Sequence, residues 1–410
     1  MGVREDCGYI IGEAIRAVQP DAAVRRVLAE RSFGPGRLVL IAVGKAAWSM
    51  ARAAWDCLEG RVDDGIVITK YGHSRGPIGP LRIREAGHPV PDGNTFAATR
   101  EALTLTAGLR EEDTVLFLLS GGGSALFEEP LVPPEELRDI TEQLLSSGAD
   151  IVAMNTIRKR LSAVKGGRFA LHCAPARVCA IILSDIVGDP LDMIASGPVS
   201  PDSSTAADAR QAAERYHLRL SPRARALLDA ETPKVLERVE PHVTGSVREL
   251  CRAAARACEE RGYRTQLLTD SLTCEAREAG SFLAAVARCH QDSRESVAFL
   301  AGGETVVHLK GTGKGGRNQE LALSAALGID GLRDTAVFSL GSDGTDGPTD
   351  AAGGLVTGET AGALRALGAD PLAALADNDS YHALERCGGL IRTGPTGTNV
   401  NDVAAVLIRR

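Results

Sequence analysis

Aromatic residues and lysine are both scarce in this 410-residue sequence. Phe, Trp and Tyr together make up 4% of the residues, whereas hydrophobic residues make up 44% and glycine occurs 45 times. The apolar content is therefore mostly Ala, Leu and Val, a composition that suits layered α/β architecture with many tight turns. At roughly 100 to 200 residues per domain, this length predicts two domains.

Three further absences exclude whole classes of protein. No uninterrupted apolar run approaches the roughly 18 residues that a membrane span requires, and the first residues lack the apolar core of a signal peptide. The nine cysteines form an odd set without a C-x-x-C pair, which predicts reduced thiols. The net charge of −7 argues against a nucleic-acid-binding face. We therefore expect a soluble, cytoplasmic protein without membrane or nucleic-acid partners; its oligomeric state is open, with a homodimer among the options.

Short runs of branched apolar residues alternate with helical patterns along the first half of the chain. These runs are residues 38–43, 65–69, 115–119 and 178–183, and a glycine-containing turn follows each of them. The alternation predicts βαβ units around a mostly parallel sheet. In such sheets, ligands bind at the loops that follow the carboxyl ends of the strands.

A change of pattern between residues 202 and 242 indicates a domain boundary. Short polar helical stretches there are broken by proline, and βα alternation resumes afterwards. The helices predicted beyond the boundary are 246–260, 275–289 and 318–327, and the strands are 265–268, 297–301, 305–310 and 335–340. The second domain is therefore also expected to be α/β.

The first glycine-containing turn places a lysine at the start of a helix. The strand at 38–43 runs through Gly44 into an Ala-rich helical pattern that begins with Lys45. A cation at the partially positive end of a helix is unfavourable unless an anion binds there. Because lysine occurs only seven times among the 46 basic residues, Lys45 is a candidate for phosphate binding. The alternative is a side chain that simply reaches solvent.

Three consecutive glycines follow the apolar strand at 115–119. The run reads Ser120, Gly121, Gly122, Gly123 and Ser124. Successive glycines let backbone N–H groups converge on an anion, so we expect a cradle for phosphate or carboxylate. A flexible linker is the alternative. Neither the Walker A pattern nor the dinucleotide-binding glycine pattern is present.

Three aspartates follow the strand at 178–183, namely Asp185, Asp189 and Asp192. Carboxylates at a strand's end suit Mg²⁺, which takes one or two of them and completes its coordination with water and phosphate. Asp185 is the first candidate for the metal and Asp189 the second. Capping of the next turn is the alternative for Asp189 and Asp192.

A loop rich in glycine and cations precedes the helical pattern at 318–327. It follows Glu304 and contains Lys314 and Arg317, with Asn318 opening the helix. This cation density in an acidic protein indicates an anionic ligand. The planar guanidinium of Arg317 can clamp phosphate or carboxylate oxygens. A solvated hairpin tip is the alternative.

Three more aspartates, Asp343, Asp346 and Asp350, follow the strand at 335–340. An EF-hand is excluded, because Gly354 occupies the position of the terminal glutamate. The roles left open are binding of a substrate hydroxyl, proton abstraction and ordinary Asx turns.

Some signals are weaker. His88 lies in a Gly-His-Pro loop, where it either touches ligand or is structural. The segment 155–160 is basic, and we expect at least some of its cations to be only solvated. Lys45, Lys165 and Lys314 all lie in glycine-containing loops, so the scarcity of lysine points to these loops as places for phosphate.

Taken in order, these motifs resemble those of the class II glycerate kinases, with their C-terminal MOFRL-type domain. The resemblance covers nearly the whole chain, and the ordered combination is far more specific than any single motif. The matching segments are 43–47, 119–124, 155–159, 184–189, 315–320, 342–347 and 393–399.

The resemblance implies ATP-dependent phosphorylation of D-glycerate with Mg²⁺, in bacterial members usually at the 2-hydroxyl, which yields 2-phosphoglycerate. It also implies a larger, Rossmann-like α/β/α domain that faces a smaller α/β domain across a cleft. For these domains we expect residues 1–236 and 237–410. Lys45 and Arg317 match the lysine and arginine that are thought to be catalytic in this family.

On this hypothesis, Mg²⁺ held near Asp185 and Asp189 bridges the nucleotide phosphates, and Lys45 and Arg317 neutralise the transferred group. Asp189 and Asp343 rank equally as the base, and domain closure assembles the site. The glycine run binds either phosphate or the glycerate carboxylate. The candidates for contacts with ATP or glycerate are Ser120, Gly121, Gly122, Gly123, Ser124, Glu304, Lys314 and Asn318.

Two other functions fit parts of the sequence. Relatives of this family have been labelled hydroxypyruvate reductases, but an NAD(P)H-dependent enzyme is less attractive without the dinucleotide-binding pattern. A non-catalytic binding protein for a small carboxylate gives no reason for so many acidic strand ends beside basic loops.

Overall fold

The computed structural model describes residues 2–410, which form two compact units. The first unit comprises residues 20–184 and 189–244, and the second comprises residues 2–19, 185–188 and 245–410. Each unit contains one six-stranded sheet with helices packed on it.

The twelve strands of the described chain divide evenly between the two sheets. They are β1 (Leu38–Val43), β2 (Asp64–Lys70), β3 (Arg82–Ala86), β4 (Thr114–Leu119), β5 (Arg177–Leu183), β6 (Val239–Gly245), β7 (Arg264–Leu272), β8 (Val297–Gly303), β9 (Thr335–Gly341), β10 (Gly353–Thr357), β11 (Leu390–Ile391) and β12 (Asp402–Ile408).

Sixteen α-helices are present in the same residues. They are α1 (Val3–Ala17), α2 (Pro20–Leu28), α3 (Ala47–Leu58), α4 (Gly93–Leu105), α5 (Gly123–Leu126), α6 (Pro134–Ser146), α7 (Ile151–Arg160), α8 (Arg168–Cys173), α9 (Ala206–Arg215), α10 (Pro222–Asp229), α11 (Val247–Glu260), α12 (Ala276–Cys289), α13 (Arg317–Gly328), α14 (Thr360–Ala366), α15 (Pro371–Ala376) and α16 (Ser380–Arg386). A 3₁₀ turn at Ile194–Ser196 follows β5.

The sheet of the first unit has the strand order β3-β2-β1-β4-β5-β6. The first five strands in this order, from β3 through β2, β1 and β4 to β5, pair in parallel with their neighbours. Every residue of β1 and β4 is buried. This burial explains why both strands read as uninterrupted apolar runs. The chain moves outward from β1 to β3 and then returns to β4, so the strand order reverses between β1 and β4. Ligands of doubly wound sheets bind at this switch point, beyond the carboxyl ends of the strands.

Side chains cover both faces of this sheet. Helices α2 and α3 pack against alternate residues of β1, β4 and β5 on one face. The rings of Phe117 and Phe127 lie 5.8 Å apart, and that of Phe169 lies 5.1 and 5.0 Å from them. Because the chain has only eight Phe, this cluster concentrates aromatic packing beside the end of β4.

The sheet of the second unit is mixed, with the order β11-β10-β9-β12-β8-β7. Only β7 and β8 pair in parallel. The other four pairs, β8 with β12, β12 with β9, β9 with β10 and β10 with β11, are antiparallel. One face packs against α1 and α11, and the other against α12 and α13. The second unit is therefore also α/β, with a sheet that is mostly antiparallel.

Packing of α1 explains why residues 2–19 belong to the second unit. Ile10 and Ala14 of α1 share an apolar cluster with Leu250 and Ala254 of α11, and the buried Asp6 accepts a hydrogen bond of 2.8 Å from the hydroxyl of Tyr263. The chain thus passes between the two units at four places, after residues 19, 184, 188 and 244, whereas the sequence suggested one boundary between residues 236 and 237.

The predicted α/β class, with a Rossmann-like sheet in the larger unit, is confirmed. The strand predicted at 305–310 is wrong: it makes one isolated bridge, between Val306 and Glu275, and Leu309 is 81% exposed. Val306 is also exposed, and only Val307 of its apolar residues packs against a core. Within residues 2–410, no helix has the length and apolar character that crossing a membrane requires.

Candidate functional site

Lys45 lies at the switch point of the first sheet, in the turn that leaves β1. Gly44 before it has φ +122°, and a Cβ there would come 2.2 Å from the Ser120 Oγ, so the position admits only glycine. The Lys45 side chain is exposed. Within residues 2–410, no carboxylate lies within salt-bridge distance of its ammonium.

The loop after β4 is joined directly to the Lys45 turn. The Lys45 N–H donates to the Gly121 carbonyl at 2.9 Å, and the Ala46 N–H donates to the Ser120 Oγ at 3.0 Å. The structure therefore brings together the first two candidate loops, as their positions at the ends of adjacent parallel strands require.

The glycine run presents a row of free backbone donors. In the described part of the chain, the N–H groups from Gly121 to Ser124 have no hydrogen-bond acceptor. A Cβ on Gly123 would come 2.7 Å from the Ala195 Cβ, and one on Gly122 3.0 Å from the His88 ring. The run is thus closely packed, which a flexible linker would not be. Converging N–H groups of this kind form an anion-binding concavity.

Two histidines lie close to the Lys45 turn. The Nδ1 atom of His73 lies 3.1 Å from the carbonyl oxygen of Lys45. Burial, together with the charges of Lys45, Lys70 and His73, lowers the pKa of His88. The sequence suggested His88 only weakly and did not suggest His73, because neither lies in a recognisable motif.

The basic helix α7 is not solvated as the sequence suggested. Lys159 and Arg160 are 1% and 0% exposed. The Lys159 Nζ bonds Asp192 at 3.0 Å and Asp202 at 2.9 Å, and Arg160 lies 3.5 Å from Asp202. These cations belong to a buried ionic network, because the end of α7 that carries them is buried although its first turn is exposed.

Lys165 and Lys314 also have structural partners. The fully buried Lys165 bonds Glu128 at 2.9 Å and the Phe127 carbonyl at 2.8 Å, and burial lowers its pKa. The Lys314 ammonium lies 4.3 Å from the centre of the Tyr381 ring. Of the three lysines in glycine-containing loops, Lys45 therefore has the weakest structural reason to be there.

The three aspartates after β5 have different surroundings. Asp192 bonds Lys159 and Ser203; burial alone would raise its pKa, but these partners hold it below its usual value. Asp189 has φ +52° and a buried Oδ1 without a hydrogen-bond partner. The carbonyl of Asp185 accepts from the Asn401 Nδ2 at 3.1 Å within the second unit.

A metal site is possible only with few protein ligands. In residues 2–410, no group of three or more His, Cys, Asp or Glu side chains converges as a metal cage. Mg²⁺ commonly binds one or two carboxylates and completes its coordination with water and substrate phosphates. The unpartnered oxygen of Asp189 fits that mode.

Arg317 begins α13 in the second unit and is held by two carboxylates. Its Nε and Nη2 donate to Asp402 at 2.6 and 3.0 Å, and its Nη1 donates to Glu304 at 2.7 Å. Burial would lower the pKa of Arg317, but these carboxylates raise it further above its usual value. The guanidinium is therefore fixed in one orientation.

The carboxylate of Asp346 caps α13 beside this arginine. It accepts from the backbone N–H groups of Asn318 and Gln319 at 3.2 and 2.9 Å. Burial raises its pKa to about 6 against these bonds. Burial also raises the pKa of the neighbouring Asp402. The sequence did not single out Asp402 as a partner of Arg317, because the two residues are 85 positions apart along the chain.

The glycine-rich loop before α13 is not a solvated hairpin tip. A Cβ at Gly311 or Gly313 would come within 2.4 Å of Asp377 or Asp379, and the Lys314 N–H donates to Asp379 at 3.0 Å. The loop is thus packed along the segment before α16.

Asp343 forms the Asx turn that the sequence left open. Its Oδ1 accepts from the Thr345 N–H at 2.9 Å. The residue is half-buried, so its second carboxylate oxygen is available for other contacts. The candidate residues Lys45 and Ser120–Ser124 therefore form one cluster in the first unit, and Glu304, Arg317 and Asn318 form another in the second.

The strand order and switch point of the first sheet define an α/β protein of the doubly wound class, with free backbone N–H groups and an unpaired lysine at the place where such proteins bind ligands. Comparison with known proteins identifies the family. Residues 6–229 match the family model described as a domain of unknown function, DUF4147, and residues 297–402 match that of the MOFRL family.

Named relatives match over nearly the whole chain. The D-glycerate 2-kinase of Thermotoga maritima is 52% identical over 405 residues, which cover 97% of each chain. A putative hydroxypyruvate reductase of Agrobacterium vitis is 41% identical over 425 residues, which cover 100% of this chain and 95% of the relative. The crystal structure of a Thermotoga maritima glycerate kinase matches with a TM-score of 0.95 and 51% identity, covering 98% of this chain and 99% of that one. The chain belongs to the class II glycerate kinase family, with a C-terminal MOFRL domain.

Proposed function

We propose that this protein is a kinase that transfers the γ-phosphoryl group of ATP to the 2-hydroxyl of D-glycerate, which yields 2-phospho-D-glycerate and ADP. One observation carries the proposal. Lys45, whose ammonium has no carboxylate partner, lies in a turn that is hydrogen-bonded to the loop with the free N–H groups of Gly121 to Ser124. Both occupy the switch point of the first sheet, where doubly wound proteins bind their ligands. The named relative acts on the same substrate.

Phosphoryl transfer requires positioning and charge neutralisation more than covalent help from the protein. Lys45 supplies a full positive charge where the glycine run supplies partial charges. Since Lys45 has no carboxylate to release, it is ready to bind a phosphate oxygen without breaking an existing pair. We therefore assign the Lys45 turn and the glycine run to the phosphates.

Arg317 contributes a pre-oriented guanidinium in this proposal. Three of its five N–H groups bond Asp402 and Glu304, which leaves two for the substrate. The side chain is 32% exposed, so these groups are accessible. Asp402 and Glu304 act as positioning residues that hold the guanidinium plane. Asn318 in the first turn of α13 and Lys314 in the loop before it stay candidate contacts.

Asp189 and Asp343 divide the carboxylate roles. Asp189, whose buried Oδ1 lacks a partner, would hold Mg²⁺, with Asp185 as the second candidate ligand. When bound, Mg²⁺ neutralises phosphate charge and orients the nucleotide. Asp343 is then the carboxylate left to accept the proton of the substrate hydroxyl, because one of its oxygens is free of the Asx turn.

A coupled assay of ADP release tests the proposal. Purified protein should form ADP with D-glycerate and ATP only when Mg²⁺ is present, and ³¹P NMR should place the new phosphate on the 2-position rather than the 3-position. A parallel reaction with hydroxypyruvate and NADH is the control. NADH oxidation without ADP formation would replace the kinase by the reductase that some relatives are named for.

Localisation and assembly stay predictions. A cytoplasmic protein is expected, and a homodimer is one option that light scattering of the purified protein can test.

A further inference from the structure

Arg158 is a cation for which the first unit provides no carboxylate. Its Nη2 donates to the Ser124 carbonyl at 3.2 Å. Throughout residues 2–410, no acidic oxygen lies within salt-bridge distance of its guanidinium. We propose that Arg158 binds the carboxylate of the substrate, with the hydroxyl of Ser124 as its partner. This inference rests on the proposed function and assigns a residue to the substrate carboxylate, which is bonded to the carbon that carries the 2-hydroxyl.

The neighbours of Arg158 on α7 show that its isolation is specific. Lys159 bonds two aspartates, and Arg160 lies within salt-bridge distance of Asp202 and Glu231. A buried charge is costly unless an opposite charge or several hydrogen bonds compensate it. The chain thus matches the two following cations and leaves Arg158, which is only half-buried, to be matched by something from outside.

A short chain of hydroxyl groups ends beside Arg158. The Ser196 hydroxyl donates to the Asn155 Oδ1 at 2.9 Å, so the contact of 3.2 Å between the Ser124 and Ser196 hydroxyls must have Ser124 as the donor. That contact is long for two hydroxyl groups. The proton of Ser124 can therefore turn to a carboxylate oxygen at little cost.

Asn155 and Arg158 are three residues apart on α7 and lie on the same face of the helix. Asn155 is 3% and Ser196 is 0% exposed, so these two form the inner side of the cluster. Arg158 and Ser124 are half-buried and form its accessible side. A ligand can thus reach the guanidinium and the Ser124 hydroxyl while the inner pair keeps them in place.

The local charge favours a monoanion over a nucleotide phosphate. Burial lowers the pKa of Arg158, and the nearby Glu128 partly offsets that effect; Glu128 is in turn paired with Lys165. One uncompensated cation with a fork of N–H donors matches one carboxylate, which it can bind in two places. The several charges of ATP phosphates suit the Lys45 turn better.

Kinetics of Arg158→Lys and Arg158→Gln test the inference. We expect the KM for D-glycerate to rise about 10- to 100-fold, while the KM for ATP changes less than about two-fold. D-glyceramide has a neutral carboxamide in place of the carboxylate, so the preference of the wild-type enzyme for D-glycerate over D-glyceramide should nearly vanish in Arg158→Gln. Arg168→Gln is the matched control, because Arg168 is also a half-buried arginine that donates to a backbone carbonyl, at 3.3 Å from Ser162, without a salt bridge.

The outcomes separate this inference from the proposed function. If the wild type makes ADP but the Arg158 variants keep the KM and the preference for D-glycerate, or raise the KM for ATP instead, Arg158 does not bind the carboxylate. If the wild type makes no ADP, the kinase proposal fails, and thermal-shift binding of D-glycerate alone decides: a shift lost in Arg158→Gln supports the carboxylate contact, and a retained shift overturns it. Arg158→Gln should melt no lower than the wild type, because an unpaired charge is removed, whereas a structural arginine would lower the melting temperature.

Discussion

The backbone N–H of Lys45 donates to the carbonyl of Gly121 at 2.9 Å. This bond joins the turns that follow β1 and β4, and it fixes the start of the Lys45 side chain beside the N–H groups of the glycine run. Residues 76 positions apart in sequence are thereby joined at the place that we propose binds the phosphates.

Replacing Lys45 by alanine tests the role of its ammonium. The side chain is exposed and unpaired, so Lys45→Ala should keep the wild-type stability and lose at least about 100-fold in kcat, as expected when a charge that acts on the transition state is removed. Steady-state kinetics and a thermal melt check both parts. Lys310→Ala, at another exposed lysine, should leave kcat unchanged. Unchanged activity in Lys45→Ala would mean that this lysine only reaches solvent.

Gly122→Ala tests the shape of the glycine run. The residue has φ +87°, and a Cβ would lie 3.0 Å from the His88 ring and 3.3 Å from the Lys45 Cγ. We expect a stability cost of about 1–2 kcal/mol and a loss of activity, because Lys45 must move. Gly108→Ala is the control, since Gly108 has φ +67° and open space around it. It should lose similar stability and keep its activity; equal activity in both variants would contradict the assignment.

Asp402→Asn tests how Arg317 is positioned. The change removes the carboxylate that accepts two hydrogen bonds from Arg317. The guanidinium should therefore lose its fixed orientation, and kcat should fall about 10- to 100-fold. Glu304→Gln removes a single, more exposed contact and should have a smaller effect. The comparison requires kcat of both variants at saturating ATP and D-glycerate. A larger loss for Glu304→Gln would reverse the proposed ranking.

Asp346 should make stability depend on pH. Burial disfavours its charge and raises its pKa from 3.8 to about 6, and the charge of the nearby Asp402 acts in the same direction. A raised pKa means that the folded state holds the proton more tightly, so this stabilising contribution is present below about pH 4 and is lost as the pH rises through 6. Chemical denaturation of the wild type and Asp346→Asn from pH 4 to 7 measures it. The advantage of the wild type over the variant should shrink with rising pH, and a constant difference would be inconsistent with the raised pKa.

Lys165→Met tests the finding that this lysine is structural. Removing one partner leaves the buried Glu128 without its cation, which should cost about 3–5 kcal/mol of unfolding free energy. Adding Glu128→Leu should restore part of that stability. Urea denaturation of the single and double variants gives the coupling between the two residues. A phosphate-binding lysine would instead leave stability intact and lower activity.

Much of the local structure could be predicted from the sequence. The predicted strand at 38–43 has the same bounds as β1, and the predicted helices 246–260, 275–289 and 318–327 agree with α11, α12 and α13 to within one residue at each end. These elements have strong periodicity and clear ends, such as the cap of Ser246 on α11. The segment at 305–310 failed because its alternation has no neighbouring strand to pair with.

Charge pairing could not be predicted in the same way. The sequence predicted that at least some cations of the basic segment 155–160 are only solvated, yet Lys159 and Arg160 are buried with Asp202. Burial of a cation depends on which carboxylate the fold brings to it, and that carboxylate is more than 40 residues away. The same limit hid Asp402 as the partner of Arg317.

The sequence by itself determined the α/β class, the turns after β1 and β4, and Lys45 as a candidate for phosphate binding. It could do so because an apolar strand that ends in glycine is a local pattern. Only the tertiary structure decided which cations are free to bind a ligand. The order β3-β2-β1-β4-β5-β6 places the turns after β1 and β4 side by side. Further tertiary contacts pair the buried Lys165 with Glu128. Lys45 and Arg158 have no carboxylate within salt-bridge distance in the described residues. A charge is available for function only where the fold has not already neutralised it, and that neutralisation depends on contacts between distant parts of the chain.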